Sequence, residues 1–460
     1  MEGEDRIKER GSLYLPEPDA MNPVQYRRYK TRANFYGVAE RTVRGLVGLV
    51  FRIEPTFDLP PVLSPLLNSA TPTGMPLSTL TADVLRDVVS LGRYGVLVDM
   101  PRSPSLIGSA VPYLAPYTAE NIWRWEESFD PVSGVRKLTR VVVREDAIVE
   151  RDLEKTYLRE LFLDPSSGNY TQQFWVEVND ETATSVRLSD GEVLANGSFD
   201  KVGPPIVPVV SGQPLKKIPF FFLNTFNLQP KTDRPPMLDL ASVNVAHYRN
   251  SADLEHALYL TSQPTPVITG WTTSSDKPAA IGSGTIWFLP TGTDAKYLEF
   301  EGKGVGALRQ AMQDKESRMA ALGARMIRDL DRSNVTAEAT RMQMTAETSV
   351  LVSAVGNVER GMEAALRMAA EWAGADPDEV DVSLNHDLVD ASLSSLDLNA
   401  LVQAWMAGAI SGPTLHANLQ RGEIIDPKKS YEDEQAEIEE QAPDAPLPSP
   451  PDDQVATPES

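Results

Sequence analysis

Four histidines, His247, His256, His386 and His416, are the residues best suited to hold a metal or move a proton, and their spacing argues against both uses. His247 and His256 lie nine residues apart in a helical stretch, which sets them on opposite sides of the axis, so they cannot share an ion. The chain has no cysteine, which excludes disulfides, thiolate zinc sites and cysteine nucleophiles and fits synthesis in a reducing compartment. GKGVG at Gly302 is the one glycine cluster that resembles a nucleotide loop. It lacks the Lys-Ser or Lys-Thr of a phosphate loop and the dinucleotide spacing, so Gly302, Gly304 and Gly306 read as a flexible joint. No local signature of a nucleophile elbow is present. These residues predict no catalytic set, no metal and no cofactor, and a chain that is not an enzyme.

The elements that would position any site must therefore be read for their own sake. Two helical segments, 237–262 and 304–328, are nearly equal in length and are joined by a β-rich insert. Each arm of roughly 25 residues extends about 37 Å, and matched arms favour an antiparallel pair. PTPVITGW, GTIWFLP and KYLEF supply three short strands with Trp271, Trp287, Phe288 and Lys296. Three such strands are too few to stand alone and predict pairing with a neighbouring chain or a partner. So slender a projection cannot bury both of its faces, which implies docking on a larger body or several copies side by side.

Ahead of the arms, the stretch 23–52 reads as one basic helix. It carries Arg27, Arg28, Lys30, Arg32, Arg41, Arg44 and Arg52 against Glu40, either a solvated face or a contact for nucleic acid or an acidic neighbour. Leu77, Leu80, Val84, Leu85, Val88 and Leu91 form one stripe of a second helix, and GRYGVLVDMP reads as a buried strand behind it. From 113 to 210 the pattern turns β-rich, and DPVSG at Asp130 and DPSSG at Asp164 predict hairpin turns in an antiparallel sheet. Beyond the arms, 335–373 contains no proline and reads as a rod with Gly356 and Gly361 as bends. Two more helices, broken at Gly412 and Pro413, follow in 396–422.

At 460 residues with 41% hydrophobic and 23% charged residues, the chain exceeds one ordinary domain and is composed as a folded protein. Its net charge is −22, which disfavours a long basic face that grips phosphates. The segment 431–460 holds ten acidic residues, no basic ones and six prolines, the composition of a disordered tail. MEGEDRIKERG lacks the apolar core of a signal peptide, and GLVGLVF at Gly45 and PFFFL at Pro219 are too short to cross a bilayer. The expectation is a soluble intracellular product.

Several stretches, in order, resemble the portal proteins of tailed bacteriophages, in a branch catalogued as phage proteins of unknown function. They are RTVRGLVGLVFR at Arg41, LGRYGVLVDMP at Leu91, PYLAPYTAENIWRW at Pro112, HYRNSADLEHAL at His247, PTPVITG at Pro264 and AGAISGPTLHANLQRGE at Ala407. None is a catalytic motif; the resemblance lies in their order along 41–423. It implies an α+β portal fold: an N-terminal arm (1–20), an α/β wing (21–235) and stem helices (236–263 and 302–328). Between the stem helices lies a β-rich clip (264–301). A tunnel loop with a long wing helix (329–376), a helical crown (377–426) and the acidic tail (427–460) complete it.

The resemblance implies a ring-shaped channel of about twelve subunits at one capsid vertex of the virion, assembled in the host cytoplasm, through which double-stranded DNA is packaged and ejected. Arg328, Asp329, Asp331, Arg332, Ser333 and Asn334 would form the tunnel loop around the duplex. Trp271, Trp287, Phe288 and Lys296 would lie in the clip, where subunits, the terminase large subunit and the head-tail adaptor meet. Major capsid and scaffold proteins are implied as further partners, and no membrane. The crown is short for the family, and tunnel-loop residues transfer by position alone. Two alternatives share the same arms: a cytosolic enzyme with a helical dimerisation arm, and an oligomeric scaffold or adaptor that conducts no DNA.

Overall fold

The computed structural model describes residues 3–101, 111–129, 134–149, 153–177, 186–187, 193–195, 199–262, 265–270, 291–298, 303–322, 337–386, 395–421, 424–425 and 429–441. The chain is mixed helix and sheet, 49% helical and 24% strand, in keeping with the α+β class. It divides into two compact units, Met1–Leu388 and Val389–Ser460.

The first unit opens with α1 (Gly3–Glu9), α2 (Pro23–Arg32) and α3 (Val38–Val50). The side chain of Asn22 accepts the backbone N–H groups of Val24 and Gln25, and Gln25 returns the bond, a capping box ahead of Pro23. The single basic helix expected over 23–52 is corrected. The chain leaves helical geometry at Ala33 and re-enters it after Gly37. The interruption is stabilised from outside by side chains of a helix more than two hundred residues away, which local sequence cannot reveal.

β1 (Thr56–Asp58) precedes α4 (Leu77–Leu91), whose stripe from Leu77 to Val88 is fully buried and whose end is Gly92 at φ +79°. A Cβ at Gly92 would fall 2.6 Å from the Asp233 carbonyl oxygen, so glycine is required both for its φ and for that approach. β2 (Arg93–Asp99), β3 (Tyr113–Thr118), β4 (Ile122–Phe129), β5 (Arg136–Val149), β6 (Leu153–Leu163) and β7 (Tyr170–Glu177) follow. After them come the short pair β8 (Val186–Arg187) and β9 (Val193–Ala195), then β10 (Phe199–Ile206), β11 (Val209–Val210), β12 (Gln213–Pro214) and β13 (Phe220–Asn224).

Two sheets result. One has the order β13-β2-β3 and the other β10-β7-β6-β5-β4, with every described pairing antiparallel. β2 is buried along its whole length because its two faces meet different layers. On one side α4 and the later helix α7 (Ala337–Ala373) pack against it; on the other, the Arg93 guanidinium lies over the ring of Trp125 from the five-stranded sheet, and Trp125 meets Phe222 edge-on. The turn after β6 is set by Asp164, whose carboxylate accepts the hydroxyls of Ser167 and Ser166 and the Ser166 N–H, while Gly168 takes φ +67°.

α5 (Leu238–Thr261) leads to β14 (Thr265–Thr269) and β15 (Asp294–Leu298), then α6 (Lys303–Leu322). Gly304 and Gly306 lie inside α6, which corrects the flexible joint expected of them, while Gly302 lies outside the described residues. α7 runs 37 residues, about 55 Å, and its core face of Leu351, Val355, Val358, Met362, Leu366 and Ala369 is buried at helical spacing. Gly361 faces Leu223 of β13 so closely that an added Cβ would stand 2.6 Å from the leucine Cδ2. β16 (Asp381–Ser383) pairs with β1 and closes the unit.

The second unit holds α8 (Ser395–Met406), α9 (Gly412–Arg421) and α10 (Tyr431–Gln441). Residues 431–441, expected within a disordered tail, form α10 instead. Ser430 caps it by accepting the Asp433 N–H and donating to the Asp433 carboxylate, and Lys429 pairs with Glu434 and Glu437. The acidic first turn also suits a helix N-terminus.

Candidate functional site

α5 and α6 form the two arms of a hairpin whose tip is the β14–β15 pair. The tip strands are antiparallel, with Thr265 opposite Leu298 and Thr269 opposite Asp294. Gly270 at φ +82° lies against the Gly292 carbonyl, where a side chain would not fit. Lys296 stands opposite Val267 and is exposed.

One side of α5 is latched to the N-terminal segment. Tyr248 and Ala252 pack with Leu15, Tyr29 and Ala33 in a small core separate from the main one. The hydroxyl of Ser251 accepts the Asn34 N–H at 2.7 Å and donates to the Asn34 carbonyl at 2.8 Å. Asn244 donates to the Tyr36 carbonyl at 2.7 Å and accepts the Ala39 N–H at 3.3 Å. The backbone groups orphaned where the expected long helix breaks are thus satisfied by α5. Tyr29 donates to Asp253 at 2.6 Å, and burial, reinforced by that carboxylate, raises its pKa. Arg249 donates to the Tyr14 carbonyl at 2.8 Å, and the Arg32 guanidinium lies 3.5 Å over the Tyr259 ring.

The other side of α5 meets α6. His247 Nε2 lies 3.0 Å from Glu316 Oε1 across the arms, with Tyr36 tilted against the imidazole. His256 points elsewhere and sets its ring edge to Tyr29. The helical separation of the two histidines therefore places them on different partners. Met319 is the one fully buried side chain of α6 among the described residues, so most of the second arm faces outward.

At the base of the arms α3, α4, α6 and α7 converge around a cavity of about 300 Å³ lined by Leu46, Val89, Met237, Leu322 and Leu351. Its charged members, Arg234 and Asp239, bond to each other at 2.6 Å, which leaves an apolar packing gap rather than a reaction chamber. The connector from β13 to α5 is tied by polar bonds. Asn224 donates to the Gln229 and Lys231 carbonyls, Asp233 accepts the Phe226 N–H and the Asn227 amide, and Asn357 of α7 donates to the Thr225 carbonyl. α7 is thereby joined to the root of the first arm.

A buried polar seam between the two sheets was not singled out from sequence. Arg159 on β6 donates to Asp99 of β2, to Glu145 of β5 at 3.3 Å and to Gln172 of β7 at 2.7 Å. Tyr113 donates to Asp99 at 2.8 Å and Tyr117 donates to Glu145. Burial opposes the charge on Arg159, but Tyr117, Asp99 and Glu145 outweigh it and hold the guanidinium protonated. Burial, with Asp99 beside it, pushes the Tyr113 phenol up to about 12. These groups hold one another, and no nucleophile with an adjacent free base is among them. The adjacent residue, Glu160, faces the other side of β6 and meets Arg140, which also binds Glu126 at 2.9 Å. The available signal was a pair of consecutive charges inside the apolar run YLRELFL. Arg93 is buried between Trp125 and Phe222 and donates to Thr232, and burial lowers its pKa to about 10.

Of the residues expected in the channel and at the tip, Arg328, Asp329, Asp331, Arg332, Ser333, Asn334, Trp271, Trp287 and Phe288 lie outside the described residues. Among the described residues no group of three or more His, Asp or Glu is placed to hold a metal, and no helix is long and apolar enough to cross a membrane.

The architecture is thus an α+β body carrying a latched helical hairpin with a β tip, rooted on one long helix. A family model described as a domain of unknown function, DUF4055, matches residues 236–373, which take in both arms, the tip and α7. No curated protein matches the chain. Among solved structures, a chain from the neck of a native gene transfer agent particle computed with C12 symmetry is similar at 12% identity and a TM-score of 0.43, over 90% of this chain and 98% of that one. A chain from the virion of a native gene transfer agent particle is similar at 13% identity and a TM-score of 0.42, with the same coverage of both chains.

Proposed function

We propose that this protein is a phage portal: a non-enzymatic ring of about twelve copies at one capsid vertex, through which double-stranded DNA enters and leaves. The observation that carries the reading is the second arm of the hairpin. α6 spans 20 residues and fully buries Met319 alone among its described side chains, so its outward faces call for neighbouring copies. On this reading 236–263 and 302–328 are the stem, 264–301 is the clip and 377–426 is the crown. The body built from 21–235 and the long helix is the wing. The β tip, with Trp271, Trp287, Phe288 and Lys296, is where subunits, the terminase large subunit and then the head-tail adaptor dock. Capsid and scaffold proteins surround the wing.

A packaging motor supplies force, and this chain supplies the hole, the docking rim and the valve. Its acidic balance suits a conduit, because each phosphate neutralised by a wall would add counterion-release affinity and hold the duplex back. Arg328, Asp329, Asp331, Arg332, Ser333 and Asn334 form the loop that narrows the channel. Exchanging Asp329 and Asp331 for lysine is expected to slow DNA packaging while ring assembly stays intact. Unchanged packaging in that variant removes the loop from the channel. Native mass measurement of the purified chain tests the assembly itself: a closed oligomer of about twelve supports it, and a stable monomer or compact dimer contradicts it.

A further inference from the structure

We propose that the apolar stripe of α8 is a self-recognition surface that packs against the 395–421 segment of a neighbouring copy; this deepens the ring reading and rests on it. Leu398, Leu401, Val402 and Trp405 recur at the spacing of one helix face, yet no described side chain of α8 is fully buried. Trp405 is 47% exposed and Met406 71%. In the whole second unit, His416 is the single buried residue among those described. A helix of 12 residues is marginal by itself and draws its stability from packing its apolar face. Among the described residues of its own unit that face is left half-exposed or exposed.

Charge selects the occupant. Copies of a chain at net −22 repel as they approach. From Leu398 to Gln420 there is no Asp, Glu, Lys or Arg, so identical copies can meet here without placing like charges together. Asn399 and Gln403, both exposed on the same helix, offer donors and acceptors to an identical neighbour. A membrane is the poorer fit, because α10, which follows in the same unit, brings Glu432, Asp433, Glu434 and Glu437 and anionic headgroups would repel it.

The absence of native cysteine permits a direct test in the full-length chain. Met406→Cys, which leaves Trp405 in place, is labelled with a benzophenone maleimide, with Glu437→Cys on α10 as comparator. Isotopically heavy and light chains are mixed before assembly and irradiated, and captured peptides are identified by mass. The expected result is heavy–light capture from Met406→Cys that maps to 395–421 and exceeds the comparator severalfold. If native mass shows the ring but capture maps elsewhere, falls on another protein or matches the comparator, the surface is overturned and the ring stands. A chain that stays monomeric overturns both.

Discussion

The hydroxyl of Ser251 on α5 holds both backbone groups of Asn34, accepting its N–H at 2.7 Å and donating to its carbonyl at 2.8 Å. One side chain thus stitches the break between α2 and α3 to the first arm of the hairpin. Replacing Ser251 by alanine leaves both groups without that partner in a partly buried place, and a destabilisation of about 1–3 kcal/mol is expected. Thermal denaturation reads the loss, and hydrogen exchange should rise first at 33–37. An unchanged melting temperature with unchanged exchange would show that the latch contributes nothing.

Gly361 allows α7 to press on β13. Alanine there would gain roughly 0.5–1 kcal/mol of helix propensity but would force a Cβ to within 2.6 Å of Leu223. Overpacking of that kind costs about 1–3 kcal/mol, so Gly361→Ala should destabilise on balance. Adding Leu223→Ala removes the clash, so the double variant should be less stable than wild type by less than the two single losses combined. Strict additivity would refute the contact.

How much was legible follows from where each element gets its support. The α4 stripe and β2 could be read because their partners impose a period of 3.6 or a continuous apolar run on the sequence itself. The break at 33–37 could not, since Asn244 and Ser251 supply its bonds from far along the chain. Arg159 and Glu160 are charges in a strand, which normally read as solvent-facing; the meeting of two sheets buries Arg159 in a seam, while Glu160, on the opposite face of β6, is buried against Arg140. The helix α10 was hidden by its acidity, although Ser430 was a visible cap and Tyr431 packs edge-on against His416. The channel and tip residues expected from the family resemblance are not among those described, apart from Lys296.

Arg159 pairs with both Asp99 and Glu145 in the seam. Arg159→Met should cost about 3–5 kcal/mol, because it leaves the buried Asp99 and the half-buried Glu145 uncompensated. Neutralising them as well, with Asp99→Asn and Glu145→Gln, should recover a large part of that loss. Chemical denaturation of the single and triple variants checks this. A triple variant less stable than Arg159→Met would mean that the carboxylates stabilise the seam without the guanidinium.

Asp164 gives a pH dependence of defined sign. Its carboxylate accepts from Ser167 and Ser166, which lowers its pKa to about 2, below the unfolded value of about 3.9. The turn's contribution is therefore fully present above pH ~4 and is lost as pH falls through about 2. The melting-temperature difference between wild type and Asp164→Asn should be constant above pH ~4 and shrink toward pH ~2. A difference that grows on acidification contradicts the assignment.

On the proposed reading, the outward faces of the hairpin meet neighbouring copies arranged around a channel. Electron microscopy of the purified full-length chain tests it most directly. Closed rings of about twelve subunits, with a central opening wide enough for a DNA duplex and the hairpins side by side around it, are expected. Compact particles of one or two chains without an opening would contradict it.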